Sequence, residues 1–341
     1  MTDATDPQAA PTPAPPAGDA PTTALVSAYR LDGKGGASLL DDDSLREQWQ
    51  DPDALIWMHL DYTRGDVNDY LDDLAQLDEP SIEALTELDT RPRVARFGGG
   101  MVTTLRGINL NPGAAPEDLL SLRLWMSPTR LITLRRRPFQ SITQVREQLE
   151  AGQGAESISW LLAMLSDALV DRVAELSHRL DEQLAIIEED QLNDVEIDPD
   201  DITRLRRPLI TLRRFMGPQR DCLAQLSQGP LWIDEQARLD LREIANQLSR
   251  YVEDFQAMQE RALIIHEQRM SEHNEQLNQR MYLLSVITAV FLPLGFLTGL
   301  LGVNVGGIPG SDSQWGFAAF VGITLGVVAM QMWLLKRKKW W

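Results

Sequence analysis

MYLLSVITAVFLPLGFLTGLLGV, the sequence of residues 281–303, contains no charged side chain. A second uncharged run, WGFAAFVGITLGVVAMQMWLL, follows at residues 315–335. A helix needs roughly 20 residues to cross the hydrocarbon core of a bilayer, so each run is long enough to span a membrane. Because the two runs are neighbours in the sequence, we predict two transmembrane helices joined by a short loop at residues 304–314.

Basic residues flank both predicted spans on one side of the membrane. Arg269 and Arg280 precede the first span and four basic residues at 336–339 follow the second, whereas the loop at 304–314 has neither Lys nor Arg. Cytoplasmic segments carry the excess of Lys and Arg in membrane proteins. We therefore predict a multi-pass membrane protein, with both termini and the basic tail 336–341 in the cytoplasm and the loop facing outward.

The remainder of the chain is strongly acidic. The whole sequence has a net charge of −18. Asp312 and the basic residues at 336–339 give residues 281–341 a net charge of +3, which leaves −21 for residues 1–280. Such a charge repels nucleic acid and concentrates cations, so we predict no nucleic-acid partner; solubility alone is the other explanation of the charge. A single cysteine, Cys222, excludes an intrachain disulfide and a CxxC zinc site.

The residues before the long helix fall into three segments of different composition. Residues 1–23 are rich in Pro and Ala and lack the features of a signal peptide, so we predict a disordered tail. Residues 24–156 alternate strand-like apolar runs, such as 55–60, with turns and short helices. They predict a cytoplasmic α+β domain, a mixed sheet flanked by helices. Residues 157–233 show helical spacing on both sides of an acidic segment and predict a helical hairpin.

One uninterrupted helix is predicted to join the soluble part to the first span. Neither Pro nor Gly occurs in residues 234–291, and apolar residues in 237–265 alternate spacings of four and three. This heptad pattern predicts a stalk helix at 234–280 that packs against other helices, as in a coiled coil. A second stripe begins at Met270 and continues along one face of the span, as expected of a helix that turns a new face toward a symmetry axis.

A short motif stands at the end of the first span. The span ends in Gly302-Val303-Asn304, and the loop continues with Gly306-Gly307-Ile308-Pro309-Gly310. Two C-terminal spans joined by a short outward loop that opens with Gly-x-Asn resemble the CorA family of divalent-cation transporters. Upstream, the segments at 31–36, 90–94 and 116–123 are similar to the bacterial zinc-transporter (ZntB) branch of that family.

The resemblance implies a funnel-shaped homopentamer in which the first span lines the pore and the second lies outside it. It also implies a place in the bacterial inner membrane, with the loop at 304–314 in the periplasm. It implies transport of Zn²⁺ as cargo, without a cofactor and without enzyme activity. Val303 stands where the magnesium branch usually has Met, which favours zinc. A conduit for Mg²⁺, Co²⁺ or Ni²⁺ remains open within the family. A membrane-anchored scaffold or sensor without transport remains open outside it.

The predicted selectivity filter consists of Gly302, Val303 and Asn304. In a ring of five copies, the carboxamide oxygens of Asn304 would surround the axis. They would bind a hydrated cation through hard, uncharged oxygen atoms. The alternative is that Asn304 only caps the end of the helix in a left-handed conformation.

The predicted pore-lining residues share one face of the helix at the first span: Asn278, Met281, Leu284, Thr288, Leu292, Gly295 and Gly299. None of them is acidic, His or Cys, the side chains that hold zinc tightly, and this indicates a weakly binding conduit. Met281 and Leu284 are predicted to form a hydrophobic constriction that gates the pore by excluding water, with ordinary packing as the alternative.

Acidic and histidine residues outside the spans are candidates for weaker contacts with metal. One acidic segment is predicted to attract cations: Asp194, Glu196, Asp198, Asp200 and Asp201. Candidate weak or regulatory ligands are Glu188, Glu189, Asp190, His266 and His273. Ordinary solvated surface residues are the alternative in both cases.

Overall fold

The computed structural model describes residues 23–87, 91–193, 195, 197–302 and 314–337. The chain forms two compact units, Met1–Leu263 and Ile264–Trp341. The predicted disordered tail lies outside the described residues except for Thr23.

Seven strands among the described residues form the sheet of the first unit: β1 (Leu25–Leu31), β2 (Ala37–Leu40), β3 (Leu55–Asp61), β4 (Arg93–Phe97), β5 (Gly100–Gly107), β6 (Leu120–Met126) and β7 (Arg130–Arg135). Their order across the sheet is β2-β1-β3-β7-β6-β5-β4. Neighbouring strands are antiparallel except β3 and β7, which are parallel. The predicted mixed sheet is confirmed.

The apolar sequence of β3 explains its central position. Residues 56–60 are all buried, because the strand is covered on both faces of the sheet. A strand in that position favours a continuous apolar run over an alternating one. Both edges of β3 are paired, one with β1 and the other with β7. The strand predicted at 55–60 is therefore part of the core.

The helices among the described residues are α1 (Asp42–Trp49), α2 (Glu79–Thr86), α3 (Gln140–Glu150), α4 (Ile158–Leu192), α5 (Pro199–Ser227), α6 (Glu235–Leu301) and α7 (Gly316–Arg337), with one π-helical turn at Asp69–Leu74. The first five pack on the sheet. Side-chain oxygens cap two of the long helices. Ser157 Oγ accepts the backbone N–H of Trp160 at 3.1 Å, and Asp198 Oδ1 accepts that of Asp200 at 2.9 Å. Both α4 and α5 contact β5.

The heptad stripe of α6 is the buried face of that helix in the first unit. Seven of its residues are at most 5% exposed: Ala237, Leu241, Ile244, Leu248, Phe255, Met258 and Ala262. Asp234, immediately before α6, accepts a hydrogen bond from Ser157 Oγ at 2.8 Å and so joins the start of α6 to the start of α4. Burial of the stripe is what the predicted helix-on-helix packing requires.

The second unit contains the C-terminal part of α6 and the whole of α7. The most apolar 18-residue window has a mean hydropathy of 2.1 in α6 and 1.9 in α7, and no residue of either window is buried. The helices end at Leu301 and Arg337. The membrane-span bounds of 281–303 and 315–335 stay predictions. Pro293 lies inside α6 without ending it. Both helices are long and apolar enough to cross a membrane, as predicted.

Candidate metal-ion pathway

The predicted pore face of α6 is exposed along its whole length. Its seven residues are Asn278, Met281, Leu284, Thr288, Leu292, Gly295 and Gly299, and all of them are exposed. Exposure is between 65% and 70% for Met281, Leu284 and Leu292. At 3.6 residues per turn these positions fall on one face. Within the described chain, this face of the first span is left uncovered.

The opposite face of the same helical segment is half-buried: Val286, Val290, Pro293, Leu294 and Leu297. At 100° per residue, the mean direction of these five positions lies about 180° from that of the pore face. Ala289 lies beside the half-buried face, and its carbonyl oxygen accepts a hydrogen bond from Gln331 Nε2 of α7 at 3.1 Å. The second span therefore lies on the side of α6 away from the predicted pore face. The sequence did not single out Gln331.

Small and uncharged groups occupy the exposed face. Thr288 Oγ1 donates its proton to Leu284 O at 2.8 Å, which leaves the hydroxyl oxygen able to accept from the water shell of a cation. A Cβ atom on Gly295 or Gly299 would meet nothing within 4 Å, so packing inside the described chain does not require glycine there. These groups suit passage of a hydrated ion and do not bind zinc tightly.

The predicted selectivity filter begins where the described part of α6 stops. The N–H of Gly302 donates to Thr298 O at 2.9 Å. A Cβ atom at Gly302 would lie 2.7 Å from the same carbonyl oxygen, so a larger residue does not fit this end of the helix without a shift. Val303 and Asn304 lie outside the described residues, so the role of Asn304 stays a prediction.

Local hydrogen bonds account for part of the acidic segment. Asp198 caps α5, and Asp201 Oδ1 is 2.5 Å from Arg204 Nη2. Asp200 lies exposed in the first turn of α5, where a carboxylate is favourable at the positive end of the helix dipole. Asp194 and Glu196 lie outside the described residues. Attraction of cations by this segment stays a prediction.

An arginine on α6 holds one of the candidate metal ligands. Arg261 Nε and Nη2 donate to Glu188 Oε1 and Oε2 at 2.8 and 2.6 Å, and its Nη1 donates to Asp181 Oδ1 at 2.7 Å. The hydrogen bond to Glu188 raises the pKa of Arg261, partial desolvation opposes this, and the bond to Asp181 raises it further. The pairing joins α4 to α6 and occupies both oxygens of Glu188. No sequence signal links residues that are 73 positions apart.

The remaining candidate ligands lie at separate positions. Glu189 is exposed and Asp190 is half-buried near the end of α4, while His266 is half-buried and His273 exposed on α6. Among the described residues, no group of three or more His, Cys, Asp or Glu side chains comes close enough to hold a metal ion. The regulatory-metal hypothesis for these residues stays a prediction.

Comparison with known proteins identifies the family. The family model described as "CorA-like Mg2+ transporter protein" matches residues 52–337. The divalent cation transporter CmaX of Pseudomonas aeruginosa is 37% identical over 320 residues, which cover 93% of this chain and 96% of the relative. The zinc transport protein ZntB of Yersinia pseudotuberculosis is 34% identical over 316 residues, which cover 92% of this chain and 95% of the relative.

The fold agrees with the sequence similarity. The solved structure of the full-length CmaX protein superposes with a TM-score of 0.82 at 36% identity, covering 95% of this chain and 100% of that one. The match includes the mixed sheet, the long helix and the two apolar C-terminal helices. The chain therefore belongs to the CorA family of membrane proteins, which transport divalent cations and are not enzymes.

Proposed function

We propose that this chain transports zinc across the bacterial inner membrane as a homopentamer, with both termini in the cytoplasm. The ions pass a ring of five Asn304 side chains and then move along the exposed face of the first span. The similarity to ZntB proteins over nearly the whole chain supports zinc as the cargo. The absence of Lys and Arg from the loop at 304–314 supports the orientation.

The exposed face of α6 is the observation that carries the pore proposal. A helix face that meets lipid needs only large apolar side chains, but this face also contains Asn278, Thr288, Gly295 and Gly299. Phe291 and Phe296, which are 66% and 68% exposed, lie on either side of it. Polar and small residues gathered on the side away from α7 fit a water-filled axis between copies of the chain.

The deciding experiment measures zinc flux into proteoliposomes loaded with a zinc-sensitive dye. We expect wild-type protein to admit zinc and Asn304→Ala to lose most of the flux or its selectivity, because the ring loses five oxygen ligands. Asn246→Ala serves as the matched control, since Asn246 is exposed on α6 in the first unit. Equal flux through wild type and Asn304→Ala would contradict the proposed filter.

A conduit for Mg²⁺, Co²⁺ or Ni²⁺ is the second candidate, because the matching family model is described by Mg²⁺ transport. The same proteoliposomes, with dyes for each metal, rank the four cations with and without a pH gradient. A larger flux of Mg²⁺ than of zinc would identify Mg²⁺ as the cargo and contradict the proposal of zinc. Flux no greater than in empty liposomes for all four metals would favour a membrane-anchored scaffold.

A further inference from the structure

A cavity of about 380 Å³ opens at one edge of the sheet in the first unit. Its polar lining consists of Tyr62, Arg106, Asn109, Asp118, Arg136 and Arg137, together with Ser121. β5 and β7 run parallel to β3, because β7 pairs with β3 in parallel and two antiparallel pairings separate β7 from β5. The cavity therefore lies beyond the carboxyl ends of β3, β5 and β7.

The charge of the cavity is opposite to that of its surroundings. Arg106, Arg136 and Arg137 contribute three positive charges against the single carboxylate of Asp118, although residues 1–280 carry a net charge of −21. Arg136 and Arg137 follow β7 directly and are exposed. Among the described residues they form no ion pair. Their guanidinium groups are therefore available to an anion.

Arg106 is fixed at the cavity by helix α5. Its backbone N–H donates to the buried Gln219 Oε1 at 2.5 Å. Its guanidinium carbon lies 4.8 Å from the ring centroid of Phe215, which also lines the cavity. Its Nη1 also donates to Leu119 O at 3.4 Å. A guanidinium held in this way keeps its positive charge at the cavity.

Asn109 supplies a second, independent indication of a ligand. The residue is 1% exposed and lines the cavity. Its Oδ1 accepts the backbone N–H of Asn111 at 3.2 Å and the side-chain Nδ2 of Asn111 at 2.9 Å, which fixes the orientation of the amide. Among the described residues, the Nδ2 of Asn109 has no acceptor. A buried donor without an acceptor is unfavourable, and a bound anion would satisfy it.

We propose that this cavity binds the phosphate group of a small soluble molecule, as inorganic phosphate or a phosphomonoester. The donors at the cavity match phosphate, which accepts bidentate hydrogen bonds from guanidinium groups. A volume of about 380 Å³ is in the range of small-molecule sites. Three arginines exclude a metal cation as the occupant. The site shares no residue with the proposed conduit.

Calorimetric titration of the full-length protein in detergent tests this assignment with inorganic phosphate, AMP and ATP, without added metal, at one ionic strength. We expect saturable binding to one site per chain. Arg136→Gln/Arg137→Gln should bind at least tenfold more weakly, because two charge-assisted contacts are lost. The control Arg242→Gln/Arg250→Gln removes the same charge from α6 and should bind like wild type. Equal affinity for inorganic phosphate and AMP identifies the phosphate group alone; tighter binding of AMP than of phosphate identifies a phosphomonoester.

A second variant covers the case in which the double arginine variant unfolds, as judged by its thermal midpoint. Asn109→Asp keeps the acceptor for Asn111 and replaces the unpartnered donor by a carboxylate oxygen, so it should also weaken binding at least tenfold. The assignment is overturned when wild type shows no saturable binding of any of the three ligands. It is also overturned when a folded cavity variant binds as tightly as the control.

Discussion

At the residue scale, His59 has the most unusual environment of the four histidines. It is 1% exposed in the middle of the sheet, and its Nδ1 is 2.7 Å from Thr133 Oγ1. Trp57 Nε1 donates to the same hydroxyl oxygen at 2.8 Å. Burial lowers the pKa of His59 well below its usual value of 6.5, and the charges of Arg135 and Arg146 lower it further. The folded protein therefore holds His59 neutral.

This neutrality predicts a loss of stability in acid. Below about pH 6.5 the unfolded chain binds a proton at His59, whereas the folded chain does not. The free energy of unfolding therefore falls as the pH falls, by at most about 1.4 kcal/mol per pH unit for one proton. We expect the thermal midpoint of wild type to fall more steeply between pH 7.5 and 5.5 than that of His59→Gln, which cannot titrate. His178→Gln, at an exposed histidine, is the control and should keep the wild-type slope. Parallel slopes for wild type and His59→Gln would contradict the prediction.

A residue's role could be predicted from the sequence only where it depends on neighbouring residues in the chain. The capping of α5 by Asp198 is a local effect, because Asp favours the position before a helix. The pairing of Arg261 with Glu188 could not be predicted, because it depends on how α4 and α6 lie side by side. The same limit applies to Asn109 and Arg136, which follow β5 and β7 and meet at one edge of the sheet.

At the scale of elements, the long helix and both spans could be predicted because their signals are local. A helical period of 3.5 to 3.6 residues and a long uncharged run can be recognised in the sequence without knowing which elements pack against the helix. The parallel pairing of β3 with β7 follows only from packing in three dimensions, so the strand order could not be predicted. α5 continues through Pro208 and Pro218 although proline removes a helical hydrogen bond, because its buried face, including Leu209 and Leu212, outweighs the loss.

The predicted pore face of α6 allows a test of the proposed constriction. Leu284 is 65% exposed on that face, and the adjacent Leu283 is 60% exposed on another, about 100° away. We expect Leu284→Ser to raise zinc flux into proteoliposomes several-fold, because a smaller, polar ring admits water to the constriction. Leu283→Ser makes the same chemical change outside the pore and should leave the flux near the wild-type value. Equal flux in the two variants would show that Leu284 does not form a constriction.

At the scale of the whole molecule, a single chain cannot enclose a pore with two helices. For the exposed face of α6 to line a pore as proposed, other copies of the chain would have to close it, and closed rings are the common symmetric solution. We expect native mass spectrometry of the protein in detergent to give about five times the chain mass of 38.3 kDa. Monomers or dimers would contradict the pentamer and favour a membrane anchor without a pore.

The same sample allows the axis to be located by cross-linking. Burial raises the pKa of the only native cysteine, Cys222, to about 12, and the charge of Asp221 raises it as well, so its thiol stays protonated and unreactive. An introduced cysteine is then the only reactive one. Leu284→Cys should form disulfide-linked pairs on mild oxidation, because neighbouring copies meet around the axis, whereas Leu283→Cys should not. Pairs formed by Leu283→Cys alone would place a different face of α6 between the subunits.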